Sequence, residues 1–448
     1  MRVEGGTEVF QVRSAELGTA ATRALPEQVA VLGNARLTLL SQTVPAEWLG
    51  RLAGAQQAAT AHAGTIATSL RQLAAATTEL EGIVTRIQAT ASGAHRYDDE
   101  QARKHQEQGQ RVAQAGGVTS DATGTVEGIA GRDADNRTRV RSVLEAAETE
   151  RARVAAERAA LLEQPPRNLA QHDAAVGVLD EELKQLDGRI NAYQRMLDSD
   201  TKILAFDPAG NGRAIGLVGE IGENTRAVGV LVPGTFSNIE NFAKYENLAS
   251  SFVVPGRASG EVAMVVWMDG ALPQSLVSAG TPSYSQELAP RLHDFVNGDL
   301  RPMVGDHTRI TVIGHSYGGA TMGLADAAGM RADHGVHLGS AGMGHGVPED
   351  RVPNDYFVTR YAITSPYDPI QMTQGGVGEG MGLNHGPDPD TYPGVIQIPS
   401  GRSAAGEVLT GELAHTGLLE PYSDSWLSIY NIITGDGPVP APPIRPGR

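Results

Sequence analysis

RITVIGHSYGGATMGLADAAGM, residues 309–330, is the stretch that decides the fold. RITVI is a short apolar run of strand length, and YGGATMGLADAAGM is compatible with a helix, so Gly314-His315-Ser316-Tyr317-Gly318 falls on a tight strand-to-helix turn. The G-x-S-x-G spacing alone is a weak signal, but this context lifts a serine hydroxyl above a sheet edge. Gly314 and Gly318 remove the Cβ atoms that would collide with the neighbouring elements. The start of the helix directs backbone N–H groups, that of Tyr317 first, toward a developing oxyanion.

A serine is a poor nucleophile at neutral pH and needs a base, and after such a turn the partners follow in the order Ser, Asp or Glu, His. The apolar run Tyr356 to Ile363 is followed by Ser365-Pro366-Tyr367-Asp368-Pro369, so Asp368 leaves a strand end as the expected acid. Of the histidines after it, His385 precedes the last expected strand and His415, in ELAHTGLLEPYSDS, follows it. The base belongs on the loop beyond the final strand, which selects His415 and leaves His385 for loop packing or the substrate lip, with a lesser claim as base. His315, beside the nucleophile, is structural or part of the pocket floor. A second oxyanion donor is expected from the loop after the third strand, VLVPGTFS, through the backbone N–H of Thr235 or Phe236. Asp269, after the fourth strand, is placed with His315 and His385 around the substrate pocket.

Working outward, apolar runs recur at Lys202 to Phe206, Ala214 to Val218, Ala227 to Val232, Val262 to Trp267, Arg309 to Ile313, Val336 to Leu338, Tyr356 to Ile363 and Val395 to Ile398. The first two flank Asp207-Pro208-Ala209-Gly210-Asn211-Gly212, a turn signal, and read as a hairpin. Helix-compatible segments separate the rest, which implies a mostly parallel sheet of about eight strands covered on both faces. Before residue 200 the periodicity is helical. Ile66, Leu70, Leu73, Leu80, Val84 and Ile87 form one stripe after a turn containing Trp48-Leu49-Gly50, and the Gly, Thr and Asp-rich segment 116–136 reads as a linker. Leu179, Leu183, Leu186, Ile190, Tyr193 and Leu197 form a 3,4 seam in a second helical pair whose first member spans about 138–163.

With 448 residues, 40% hydrophobic and 20% charged, the chain has the material for two or three cores. A formal charge of −16 argues against general affinity for nucleic acid or anionic lipid. The absence of cysteine excludes disulfides and thiolate chemistry, and no apolar stretch approaches a membrane span or a Sec signal. No metal and no cofactor are called for by the expected chemistry.

Residues 198–436 resemble an actinobacterial α/β-hydrolase family long labelled a domain of unknown function. The resemblance rests on ILAFDPAGNGRAIGLVGEI, VGVLVPGTFSN, TVIGHSYGGATMGLA, YAITSPYDPI, LNHGPDP, AHTGLLEPYSDS and NIITG in family order. It implies Ser316 as nucleophile, Asp368 as acid and His415 as base. One block departs: WMDGALPQSL stands where a Gly-Tyr-Asp-Ala-Pro-like turn is expected, which alters the pocket rim. The first 90 or so residues resemble a WXG-type hairpin, the module associated with type VII (ESX) secretion. Tyr97 is followed at the fourth place by Gln101, with Glu100 adjacent, so the usual Tyr-x-x-x-Asp or Glu export signal is not matched.

The resulting expectation is an α/β-hydrolase domain over 200–436 behind a WXG-like region (1–115), a linker (116–137) and a second helical hairpin (138–199), with a Pro-rich tail at 437–448. Its chemistry would be hydrolysis of a carboxylic ester, a lipid or phospholipid by preference, through an acyl-enzyme. Its partners would be that substrate and, through the helical half, secretion machinery or a helical partner. Secretion to the envelope is favoured over a cytoplasmic location. The rivals are an inactive hydrolase-like domain on a secretion-linked scaffold, and an adaptor self-associating through the Leu179–Leu197 seam.

Overall fold

The computed structural model describes residues 51, 57, 58, 61, 103, 104, 106–117, 128–165, 168–253, 260–350, 359–375, 383 and 385–438. The chain divides into two compact units, Met1–Tyr97 and Asp98–Arg448, and nearly all described residues belong to the second. The expected WXG-like hairpin with Trp48, the segment at Tyr97 and residues 439–448 of the tail lie outside them.

The fold is that of an α/β-hydrolase. Eight strands form one sheet: β1 (Lys202–Asp207), β2 (Arg213–Val218), β3 (Ala227–Val232), β4 (Val262–Met268), β5 (Arg309–His315), β6 (His334–Leu338), β7 (Thr359–Ile363) and β8 (Val395–Gln397), in the order β1-β2-β4-β3-β5-β6-β7-β8. β1 and β2 pair antiparallel, as does β2 with β4, and every other pair is parallel. β3 is buried at every position and β5 at all but Arg309, as strands covered on both faces must be. The parallel register carries the carboxyl ends of β3 to β8 to one edge. The β1–β2 turn shares that edge, because Ala214 at the start of β2 pairs with Met268 at the end of β4.

The second helical pair, α1 (Ile129–Glu163) and α2 (Leu169–Asp198), is built onto the free edge of β1. Asp133 Oδ1 accepts the Ile203 N–H and Asn136 Nδ2 donates to the Ile203 carbonyl, both at 2.9 Å. Arg137 donates to the carbonyls of Leu197, Ser199 and Thr201. An edge strand otherwise presents unpaired N–H and C=O groups, and these side chains take their place. They also explain why α1 begins at Ile129 rather than near 138: tertiary bonds, not periodicity, hold its first turns. The 3,4 seam of α2 is occupied too. Leu186 and Tyr193 are fully buried in one core continuous with the sheet, so the seam is not the self-association surface of an adaptor. A helix over 106–115 joins this group, with Gln108 Nε2 donating to the Glu182 carbonyl and Arg111 paired with Glu182.

Among the described residues no helix is long and apolar enough to cross a membrane.

Candidate active site

β5 delivers its chain to Ser316, and α3 (Tyr317–Ala327) leaves from it. Ser316 sits at φ 57°, ψ −125°, a region costing a non-glycine residue about 1–3 kcal/mol, so the surroundings must hold it there. They do so through three backbone bonds of 3.0 Å: Ser316 N–H donates to Leu338, while Ala341 and Gly319 donate to the Ser316 carbonyl. A Cβ at Gly314 would fall 2.6 Å from the Gly318 carbonyl oxygen, and one at Gly318 would overlap the carbonyl of Val232. The glycines on either side of the serine are therefore required by close backbone approach.

Asp368 leaves the end of β7, and its side chain is wholly buried. Its two oxygens are both engaged: Oδ1 accepts the Ile370 N–H and Oδ2 accepts His415 Nδ1–H, each at 2.9 Å. His415 lies on a short helix, α4 (Glu412–Thr416), beyond β8. With Nδ1 holding the proton toward Asp368, its Nε2 is the lone-pair acceptor that a general base requires. The Ser316 hydroxyl itself makes no hydrogen bond to this ring among the described residues, a gap of the kind that closes in a substrate complex.

The loop after β3 abuts the serine, since a Cβ at Gly234 would lie 2.5 Å from Ser316 Cβ. Of the two expected donors there, Phe236 is excluded. Its N–H is committed to the Pro273 carbonyl at 2.7 Å, and its side chain is half exposed at φ 67°. The N–H groups of Thr235 and Tyr317 carry no hydrogen bond among the described residues, as donors to an oxyanion would.

The three expected pocket residues occupy three different settings. His315 is stacked on His415, ring centroids 4.9 Å apart, and its Nε2 donates to the His415 carbonyl at 3.4 Å. Burial, and next the neighbouring His415, lower its pKa to about 3, so it stays neutral beside His415. His385 is buried edge-on to the Tyr317 ring at 5.3 Å, with its pKa lowered by burial; it makes no bond to Asp368. Asp269 belongs elsewhere. It pairs with Arg213 and Arg291 and lines a cavity of about 480 Å³ whose walls include none of Ser316, Asp368 and His415. Its position at a strand end suggested the pocket rim, but two guanidinium partners draw it away.

Asp390, in the loop after His385, escaped the sequence reading although Asp388-Pro389-Asp390 offered a run of acids. Burial chiefly, and also the charges of Asp388 and Asp368, raise its pKa from 3.8 to about 6 against hydrogen bonds from Thr364 and Gln397. A carboxyl that binds its proton more tightly when folded contributes stability that is whole below pH 3.8 and lost as pH rises through about 6. Asp390→Asn is therefore expected to stabilise the protein above pH 6 by up to about 3 kcal/mol and to confer no advantage near pH 4, as read by denaturant titration at the two pH values.

Residues 207–374 match the family model described as alpha/beta hydrolase. Two uncharacterized proteins of Mycobacterium tuberculosis, from strains CDC 1551 / Oshkosh and ATCC 25618 / H37Rv, are each 29% identical over 174 residues, which is 36% of this chain and 26% of the relative. The chain thus spans about a quarter of the length of these curated relatives. Similar solved structures include the 2,6-dihydroxy-pseudo-oxynicotine hydrolase, at 12% identity and a TM-score of 0.32 over 78% of this chain and 91% of that one. A dienelactone hydrolase-like promiscuous phosphotriesterase from metagenomic libraries has 14% identity and a TM-score of 0.31 over 50% and 92%.

Proposed function

We propose that this chain is a serine hydrolase of carboxylic esters acting through an acyl-enzyme. The observation that carries the reading is the bond between buried Asp368 and His415 Nδ1, which aims a fixed imidazole from the same sheet edge on which Ser316 is held in a strained turn. Ser316 Oγ attacks the ester carbonyl while His415 Nε2 takes its proton. The oxyanion is received by the N–H groups of Tyr317 and Thr235, and His415 returns the proton to the departing alcohol. Water, activated by the same imidazole, then releases the acid. No step needs a cofactor.

A lipid or phospholipid ester is the preferred substrate class. Phe236, Leu276, Tyr367 and Leu413 are exposed apolar or aromatic residues on the segments that follow the carboxyl ends of β3, β4, β7 and β8. Delivery by type VII-like secretion rests on the resemblance of the first 90 residues alone. The gap between Ser316 and the ring favours one alternative, an inactive hydrolase-like domain carried by a helical scaffold. Labelling by a fluorophosphonate probe separates the two: an enzyme labels at Ser316 and turns over p-nitrophenyl esters, and a scaffold does neither.

The close contact at Gly234 supplies a further test. Its new Cβ would press on Ser316 Cβ at 2.5 Å and on the His315 carbonyl at 2.9 Å, displacing the nucleophile. Gly234→Ala is expected to lower kcat/KM about 10²-fold, because small misplacements of reacting atoms have effects of that order. Gly222→Ala, where a Cβ meets open space, serves as the control and keeps the wild-type rate.

A further inference from the structure

A second cavity, of about 630 Å³, lies on the catalytic edge of the sheet and has no part in the chemistry above. Four connections fix its place. The β1–β2 turn forms one wall, and Asn211 in that turn accepts the Ile239 N–H from the loop that follows β3. Gln274 forms another and donates to the Ser237 carbonyl of that same loop. Tyr284 lines the cavity with its ring 6.4 Å from that of Tyr317, the residue after the nucleophile. The far wall is Gln106 and Gln110 of the 106–115 helix, seated where Gly109 meets the Gly210 carbonyl, so residues outside the strand-and-helix core complete the cavity.

The chemistry of these walls is selective. Gln106, Gln110 and Asn211 offer amide groups that both donate and accept, Tyr284 adds an aromatic face, and Gln274 and Ser278, whose polar atoms are bonded to Ser237, Asn238 and Ser275, shape the wall. The two cations of the wall are each balanced by a carboxylate, Arg103 by Glu107 and Arg213 by Asp207, and Asp207 itself lines the cavity, a charge balance that disfavours a phosphate or carboxylate. Glu287 adds an acceptor that favours a ligand rich in O–H donors. We infer that this groove binds an uncharged polyhydroxylated group, a sugar or polyol, as the alcohol portion of the ester cleaved at Ser316. The inference rests on the hydrolase reading for the ester and not for the binding, and within the lipid class it selects sugar or polyol esters over phospholipids. It makes the helical extension a specificity element of the enzyme.

The test uses the full chain and two esters of one acid, a butanoyl ester on the primary hydroxyl of glucose and p-nitrophenyl butanoate. In Gln106→Leu/Gln110→Leu, both exposed positions that fold without strain, the ratio of kcat/KM for the sugar ester to that for the nitrophenyl ester is expected to fall at least about tenfold. A binding readout independent of turnover is saturation-transfer NMR of methyl glucoside on Ser316→Ala, with a signal expected there and lost when the two leucines are added. A ratio held within about twofold together with no transfer to methyl glucoside would overturn the inference. Displacement of methyl glucoside by inorganic phosphate would overturn the uncharged class. If no ester turns over and the probe does not label, the hydrolase reading fails, and the NMR result still decides the groove.

Discussion

Ser316→Ala and His415→Ala should each lower kcat/KM on p-nitrophenyl esters by at least about 10³-fold, and the double variant should fall no further than the worse of the two. The reason for non-additivity is that the two groups perform one act: without the imidazole the hydroxyl stays protonated, and without the hydroxyl the imidazole has nothing to activate. The variants differ in stability. Ser316→Ala removes a side chain that makes no hydrogen bond among the described residues, so its folding free energy should match wild type. His415→Ala leaves the buried Asp368 Oδ2 without its donor and should cost about 1–3 kcal/mol. Steady-state kinetics with acyl chains of increasing length, fluorophosphonate labelling and denaturant titration together test this. Residual activity within tenfold of wild type in either variant would sink the triad reading, whatever the stability data showed.

Legibility varied with how locally each feature is determined. β3, β4 and β5 were readable because each is a short apolar run whose burial on both faces leaves no alternation to misread, while β8, with Ile396 and Gln397 exposed, was marked by its length between Gly394 and Pro399. The serine turn was readable because its glycines answer clashes with backbone only a few residues away or on the adjacent strand. The choice of His415 over His385 came from chain order alone, and the bond to Asp368 fits it. What escaped depends on partners distant in sequence. Nothing in VPGTFS indicates that Phe236 gives its N–H to Pro273, and nothing in WMDG indicates that Asp269 is held by Arg213 and Arg291. The start of α1 was missed for the same reason: Asp133, Asn136 and Arg137 have no periodicity of their own and serve an edge strand some 65 residues later. His315 falls between the two cases. Its place beside Ser316 was evident, but its stack on His415 exists only once α4 folds back over β5.

Asp368→Asn should reduce kcat/KM by about 10²–10⁴-fold while leaving the fold intact. The carboxylate accepts two hydrogen bonds, from Ile370 N–H at Oδ1 and from His415 Nδ1 at Oδ2. An asparagine has one oxygen and one NH₂ to place at these positions. If the oxygen keeps Ile370, the NH₂ faces His415 and can be satisfied only by an unprotonated Nδ1. The ring proton then moves to Nε2, and the nitrogen meant to take the Ser316 proton already carries one. If the oxygen turns to His415, two donors oppose each other at the buried Ile370 N–H, a contact costing about 1–3 kcal/mol that the first orientation avoids. The inactive tautomer is therefore the favoured one. Fluorophosphonate labelling should slow in proportion to turnover, because both reactions need the same proton transfer. Unchanged labelling beside lost turnover would instead assign Asp368 a role after acylation, and wild-type rates in both would remove it from the mechanism.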